Sequence, residues 1–252
     1  MGRYDRRMRL LPLVLVIVSV TACAGRAPGA PVSSPPPAAA AAATALPDSI
    51  RWVQQSAEFQ AALQQVYRQA AAHVEQEAAS RSSGGWAVVL DADETVISNA
   101  TYQAERARIG ASYTPESWNA WVRRREATPL PGAVEFLDRV RALGGRIAIV
   151  TNRLQSECAD TEAVFAAHRL VYDAMLCRAD GSSSDKNPRF QEVAQGRSAA
   201  GAAPLDVVAF VGDNILDFPG LAQAIRNGPP AGFGDFGRRY FLVPNPMYGS
   251  WQ

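Results

Sequence analysis

Three places in the sequence put reactive side chains at the end of a short apolar run. Residues 86–90 (WAVVL) lead into Asp91, Asp93 and Glu94. Residues 146–150 lead into Thr151, Asn152 and Arg153, and residues 207–211 (VVAFV) lead into Asp213, with Asp217 four residues further on. A charge beside a buried segment is costly unless something compensates it. Carboxylates converging on one edge repel one another unless a cation joins them, and a set of hard oxygen ligands suits Mg²⁺. A polar loop carries Lys186, the one lysine in a chain that otherwise draws its positive charge from arginine. A lone loop lysine is ordinarily a solvated surface group. Here the near-absence of lysine elsewhere favours a working role, because a compact ammonium is a point charge that reaches a phosphoryl oxygen without the planar fork of arginine.

The elements that must position these residues can be read from the apolar pattern. Strands are predicted at 86–90, 146–150, 174–177, 207–211 and 240–243, with helices between most of them at about 132–143, 157–168, 189–195 and 217–226. Alternation of this kind predicts an α/β fold, a mostly parallel sheet with helices on both faces. In such sheets ligands sit at the carboxyl ends of the strands, which is where the reactive side chains fall. Upstream, Trp52, Phe59, Leu63, Val66 and Tyr67 recur at helical spacing and predict one amphipathic packing helix running to about residue 79. Residues 97–131 hold Tyr102, Tyr113, Trp118 and Trp121 and read as a small helical cap, with Trp118 and Trp121 one turn apart on one face.

Taken together, Asp91-x-Asp93-x-Thr95, Thr151, Lys186 and Asp213 with Asp217 resemble the four motifs of the haloacid dehalogenase (HAD) superfamily, in order. Longer strings narrow the resemblance. Residues 91–99 (DADETVISN) with Tyr102, 117–121 (SWNAW), 131–136 (PGAVEF), 212–218 (GDNILDF) and 244–251 (PNPMYGSW) are similar to the class C acid phosphatases, and within them to the 5′-nucleotidase lipoprotein e(P4) family. The similarity runs from about Trp52 onward. It departs at Ala92, where a larger aliphatic residue is common, and at Leu216, where an acidic one is frequent. Neither position is expected to touch phosphate.

The resemblance implies a HAD-like Rossmannoid fold with a small cap and a role for each residue. Asp91 is implied as the nucleophile forming an aspartyl-phosphate. Asp93 is implied as the acid that protonates the leaving oxygen and the base that then activates water. Asp91, Asp213 and the main-chain carbonyl of Asp93 would hold Mg²⁺, with Thr151, Asn152 and Lys186 on the phosphoryl group and Asp217 orienting Lys186 or a metal-bound water. Arg153 and Arg189 are weaker candidates for the phosphate rim. Trp118 and Tyr248 fall at base-stacking positions, which makes a nucleoside monophosphate a candidate substrate. Trp121 reads as a packing residue. The alternatives are a HAD phosphotransferase, which would move the phosphoryl group to an alcohol, and a non-catalytic nucleotide-binding surface lipoprotein.

Composition limits other classes. The 252 residues carry a net charge of +1 and no basic stripe, which speaks against nucleic acid as a partner. His73 and His168 are the only histidines, and neither stands in the Arg-His-Gly setting of a histidine phosphatase. The N-terminal residues read as processing rather than fold. Arg3, Arg6, Arg7 and Arg9 precede an apolar run at 10–20, too short to span a bilayer and suited to a signal peptide. It closes on residues 20–23 (VTAC), which resemble a bacterial lipobox with Cys23 as the lipidated residue. The expected organisation is a lipoprotein signal at 1–22, a lipid anchor and Ala/Pro-rich linker at 23–47, and the phosphatase domain at 48–252. The expected location is the bacterial cell envelope, with the outer membrane preferred because Ala24, not Asp, follows the cysteine. An oxidising compartment lets thiols pair. Cys158 opens a predicted helix and Cys177 closes the next strand on the same edge, so a disulfide is expected there, with two free buried thiols as the alternative.

Overall fold

The computed structural model describes residues 45–198 and 203–252. The signal segment, Cys23 and most of the linker lie outside these residues. Among the described residues no helix is long and apolar enough to cross a membrane.

The elements run α1 (Asp48–Gln55), α2 (Ala57–Ala78), β1 (Trp86–Leu90), β2 (Ile97–Ser98), α3 (Ala100–Arg108), α4 (Pro115–Arg124), β3 (Thr128–Pro129), α5 (Ala133–Ala142), β4 (Arg146–Leu154), α6 (Cys158–Ala167), β5 (Ala174–Arg178), α7 (Asn187–Ala194), β6 (Asp206–Gly212) and β7 (Tyr240–Leu242). Five strands form a parallel sheet in the order β5-β4-β1-β6-β7. Side chains alternate across it, as the two-residue period of a strand requires. Trp86, Val88, Leu90, Ile147 and Ile149 pack with α2, α5 and α6, whereas Ala87, Val89, Ala148, Val150 and Phe210 pack with α7 and Phe218. The fold is therefore the expected three-layer α/β arrangement. Because β1 has β4 on one side and β6 on the other, the chain order reverses beside it, which opens a crevice at its carboxyl end.

The predicted packing helix is two helices. Ser56 is extended (φ −88°, ψ 140°), and its hydroxyl accepts the amide N–H of Phe59 at 3.1 Å, so it ends α1 and caps α2. Along α2, Phe59, Leu63, Tyr67, Ala70 and Val74 are buried at three- and four-residue steps. Each of the larger ones contributes roughly 1.5–3 kcal/mol by leaving water. The helix expected at 217–226 does not form. Pro219 disfavours helical backbone in the residue before it, and Phe218 is extended (φ −116°, ψ 134°) while Gly220 is left-handed (φ 72°). Only the one-turn segments Ile215–Asp217 and Gln223–Asn227 remain.

Residues between β1 and α5 leave the sheet and return through an antiparallel ribbon, Ile97 opposite Pro129 and Ser98 opposite Thr128. The excursion holds α3 and α4. Thr114 caps α4 with its hydroxyl, and Pro115 occupies the first turn, where a missing N–H costs nothing. Tyr102, Trp121 and Val122 form a small buried cluster of their own, with half-buried Trp118 packed against it.

Candidate active site

β1 ends where its ladder with β6 ends. The amide of Asp91 still donates to the Val211 carbonyl at 3.0 Å; beyond it the chain turns sharply, with Glu94 left-handed at φ 51°. β6 likewise delivers Asp213, and the turn Ile215–Asp217 folds Asp217 back under it. Gly212 makes that return possible, since a Cβ there would stand 2.3 Å from the Cβ of Asp217. On the other side of β1, the pairing of β4 with β5 lapses between Val150 and Leu154, over Thr151, Asn152 and Arg153. Lys186 immediately precedes α7.

These residues meet. Lys186 is 3% exposed, and its Nζ donates to Asp91 Oδ1 at 2.6 Å and to Asp217 Oδ1 at 2.5 Å. Carboxylate oxygens of Asp91, Asp213 and Asp217 all lie within 4.8 Å of one another. Burial pushes the Asp91 carboxyl up to about 7, assisted by Asp217 and Asp93 and opposed by Lys186. Burial, with Asp217 and Asp91, also raises Asp213. Desolvation alone would lower Lys186, but its two carboxylate partners outweigh that and hold it above the usual ammonium range.

With all three carboxylates ionised, the single ammonium leaves the cluster at net −2, a deficit a divalent cation balances. Asp217 has both oxygens engaged, Oδ1 by Lys186 and Oδ2 by the amide of Asn214 at 2.9 Å. Asn245 donates to Asp213 Oδ2 at 2.7 Å. Among the described residues, Asp91 Oδ2 and Asp213 Oδ1 have no hydrogen-bond donor, so they are the oxygens open to a metal.

The second aspartate of the first motif sits in a separate network. Arg153 Nη2 donates to Asp93 Oδ1 at 2.8 Å and its Nε lies 3.0 and 3.2 Å from the two oxygens, while Asn99 Nδ2 donates to Oδ1 at 2.7 Å. Arg153 borders the cavity of the site, but its polar groups turn to protein partners. It is 3% exposed, and its guanidinium is spent on Asp93, Asn99 and Thr161. Arg189 is also turned inward, holding the Thr151 carbonyl and, at 2.6 Å, the Asn152 side chain. Thr151 is wholly buried, and its hydroxyl oxygen accepts the amide of Arg153 at 3.1 Å.

Above the cluster opens a cavity of about 710 Å³, lined by Asp91, Asp93, Lys186 and Asp213 at its base and by Trp118, Tyr113, Tyr248 and Gln103 higher up. Leu216, set aside in the sequence as remote from phosphate, lines the same cavity. The hydroxyl of Tyr248 donates to Glu94 Oε1 at 3.3 Å, and that oxygen also accepts the amide of Asn99 at 2.8 Å. Burial pushes Glu94 up to about 7. Trp121 is buried with its Nε1 on Asn99 Oδ1 at 3.3 Å. Glu94 was noted in the sequence only as part of the strand-end acidic string, and Asn99 and Asn245 were given no role there. They lie inside the strings that carry the family resemblance, but the left-handed turn at Glu94 is what sets Glu94 and Asn99 beside Asp93, and Asn245 reaches Asp213 from the segment after β7. Sγ of Cys158, at the start of α6, is bonded to that of Cys177 in β5, with Cα atoms 6.1 Å apart.

Known proteins resemble this chain in sequence and in fold. Two solved structures, the class C acid phosphatase from Bacillus anthracis and the same enzyme with tungstate bound, each align at TM-score 0.70 and 28% identity, covering 81% of this chain and 84% of theirs. The model of the HAD superfamily, subfamily IIIB (acid phosphatase), matches residues 34–251. The chain therefore belongs to the HAD subfamily IIIB acid phosphatases and is a phosphoric monoester hydrolase.

Proposed function

We propose that the chain is a magnesium-dependent phosphatase that works through an aspartyl-phosphate on Asp91 and accepts nucleoside 5′-monophosphates. The observation that carries this reading is the pairing of Asp91 with buried Lys186 at the floor of an aromatic-walled cavity, beside the open oxygen of Asp213. Asp91, Asp213 and the main-chain carbonyl of Asp93 would hold Mg²⁺, which supplies positive charge against the phosphoryl oxygens. The Asp91 carboxylate attacks phosphorus as the P–O bond to the alcohol breaks, and Asp93 hands its proton to the departing oxygen. Asp93 then takes a proton from water as the water oxygen attacks phosphorus, and Asp91 leaves as the carboxylate. Lys186, held by Asp217, faces the charge that develops on the phosphoryl group. Tungstate, bound by the Bacillus anthracis relative, is a tetrahedral oxyanion like phosphate and supports an oxyanion site here. Trp118 and Tyr248, both on the cavity wall, are the surfaces on which a base would stack.

The test is phosphate release from nucleoside monophosphates, sugar phosphates and an aryl phosphate, with and without Mg²⁺ after chelation. Release should require Mg²⁺, favour the nucleotides, and fall below about one thousandth in Asp91→Asn, since an amide cannot attack phosphorus. Full activity in an Asp91→Asn sample shown by mass to be free of deamidation would refute the mechanism. Phosphate appearing on an added alcohol would point to a phosphotransferase. The reading extends to location, with the chain lipid-anchored through Cys23 in the cell envelope. Partition of the expressed protein into detergent, lost in Cys23→Ser, checks that.

A further inference from the structure

Arg153 makes more contacts in the site than any sequence motif assigned to it. We infer that Arg153 is a positioning residue for Asp93: it holds the carboxylate so that Oδ2 carries and delivers the leaving-group proton. This rests on the reading of Asp93 as the acid.

The geometry separates the two oxygens of Asp93. Oδ1 receives three donors, Arg153 Nη2 at 2.8 Å, Arg153 Nε at 3.0 Å and Asn99 Nδ2 at 2.7 Å. Oδ2 has one long contact, Arg153 Nε at 3.2 Å. N–H donors already fill the lone-pair directions of Oδ1, which leaves Oδ2 as the oxygen free to face the leaving group. The guanidinium has five N–H groups in a rigid fork. Nε points at Asp93, the two on Nη2 reach Asp93 and Asn99, and one on Nη1 reaches the Thr161 hydroxyl at 3.1 Å. Four of the five are thus taken, and almost nothing of the fork is left for a phosphate. The fork is itself fixed: its side chain is 1% exposed, the Trp118 ring lies 5.2 Å from its central carbon, and Asn99 Oδ1 is further held by Trp121 Nε1. Core strand β4 and the cap thus jointly aim one side chain.

In the step concerned, the O–H bond at Asp93 Oδ2 breaks and its proton goes to the leaving oxygen. That oxygen takes the electron pair of the breaking P–O bond while the bond from Asp91 to phosphorus forms. An acid matters most when the leaving group is a poor one. Removing the fork should therefore cost most on weakly acidic alcohols and least on strongly acidic phenols.

The experiment measures kcat/KM, which reports steps through the first P–O cleavage, for aryl and alkyl phosphates whose leaving groups span a wide acidity range. The enzymes are wild type, Arg153→Gln, Arg153→Lys and Asp93→Asn. Both Arg153 variants should lose about a hundredfold or more on an alkyl phosphate but less than about fivefold on dinitrophenyl phosphate, with Asp93→Asn showing the same trend. Inhibition by inorganic phosphate should stay within about threefold, because the fork does not hold phosphate. Arg153→Lys keeps the charge and carries the test if Arg153→Gln fails to fold. A loss that is the same for every leaving group, beside a graded loss in Asp93→Asn, overturns the inference and leaves the acid assignment standing. A flat response in Asp93→Asn removes both. Phosphate inhibition weakened more than about tenfold makes Arg153 a phosphate ligand and also overturns it.

Discussion

Trp118 shows how closely two tasks are set on one side chain. Its ring meets the edge of Tyr102 at 5.2 Å, carries the Arg153 guanidinium at 5.2 Å, and lines the cavity above Asp91. If it stacks on a base, Trp118→Ala removes roughly 1–3 kcal/mol from nucleotide binding. KM for a nucleoside monophosphate should then rise about tenfold to a hundredfold, while that for a small aryl phosphate moves less than about threefold. Steady-state kinetics on the two substrates decides it. Equal losses on both would mean that the ring serves Arg153 and the cap rather than the substrate. Trp121, buried and bonded to Asn99, belongs to the packing in either case.

At the scale of elements, the site depends on how two connections leave the sheet. Gly212 is not needed for an unusual backbone angle. It is needed because Asp217 folds back against it, with Oδ2 2.5 Å from where a Cβ would sit. Gly212→Ala should push Asp217 off Lys186, lowering kcat at least about tenfold and costing about 1–3 kcal/mol of stability through overpacking. Turnover together with thermal melting measures both, and an unchanged kcat would show that Lys186 does not need Asp217. The second connection is β4 to α6. The bond from Cys158 to Cys177 ties the start of α6 to β5, just past the stretch where β4 releases Thr151, Asn152 and Arg153. A closed loop of this size contributes about 3 kcal/mol by the chain-entropy estimate. Protein lacking Cys23 should therefore show no free thiol when denatured without reductant, and reduction should lower Tm by roughly 6–12 °C. Recovery of two thiols would mean that the pair stays reduced.

For the whole molecule, the buried acidic groups make stability a function of pH and metal together. Burial raises Asp91 from 3.8 and Glu94 from 4.5, each to about 7, and raises Asp213 as well. A carboxyl raised in this way keeps, in the folded state, a proton that the unfolded chain gives up. Its contribution is complete below about pH 4 and is lost as pH rises through about 7. Metal-free protein should therefore melt several degrees lower at pH 7.5 than at pH 5, from these groups alone. Under the proposed reading, Mg²⁺ would bind the ionised ligands and stabilise by mass action. The gap in Tm between magnesium-loaded and chelated protein should thus be wider at pH 7.5. A metal-free Tm that climbs between pH 5 and 7.5, or a gap that narrows, would contradict the charge arrangement described for the cluster.

The sequence by itself determined the layer architecture, the five strands of the main sheet and the edge on which chemistry would sit. Those follow from local pattern: apolar runs of strand length, helical periodicity between them, and polar strings at the strand ends. It also named Asp91, Asp93, Thr151, Lys186, Asp213 and Asp217 as the residues to examine, because carboxylates and a lone lysine there stand against the cost of burying charge. Local pattern misled where a single residue overrides periodicity, as Ser56 does by capping α2 and Pro219 does by ending a helix before it starts. Only the tertiary structure decided what each polar side chain touches. Arg153 and Arg189 looked alike as rim residues, yet one grips Asp93 and the other braces the backbone of Thr151. Glu94 and Asn99 acquired their places from one left-handed residue and a ribbon closed by Thr128 and Pro129, about thirty positions away in sequence. Hydrogen-bond partners are set by distances between elements remote in the chain, and no periodicity encodes those distances.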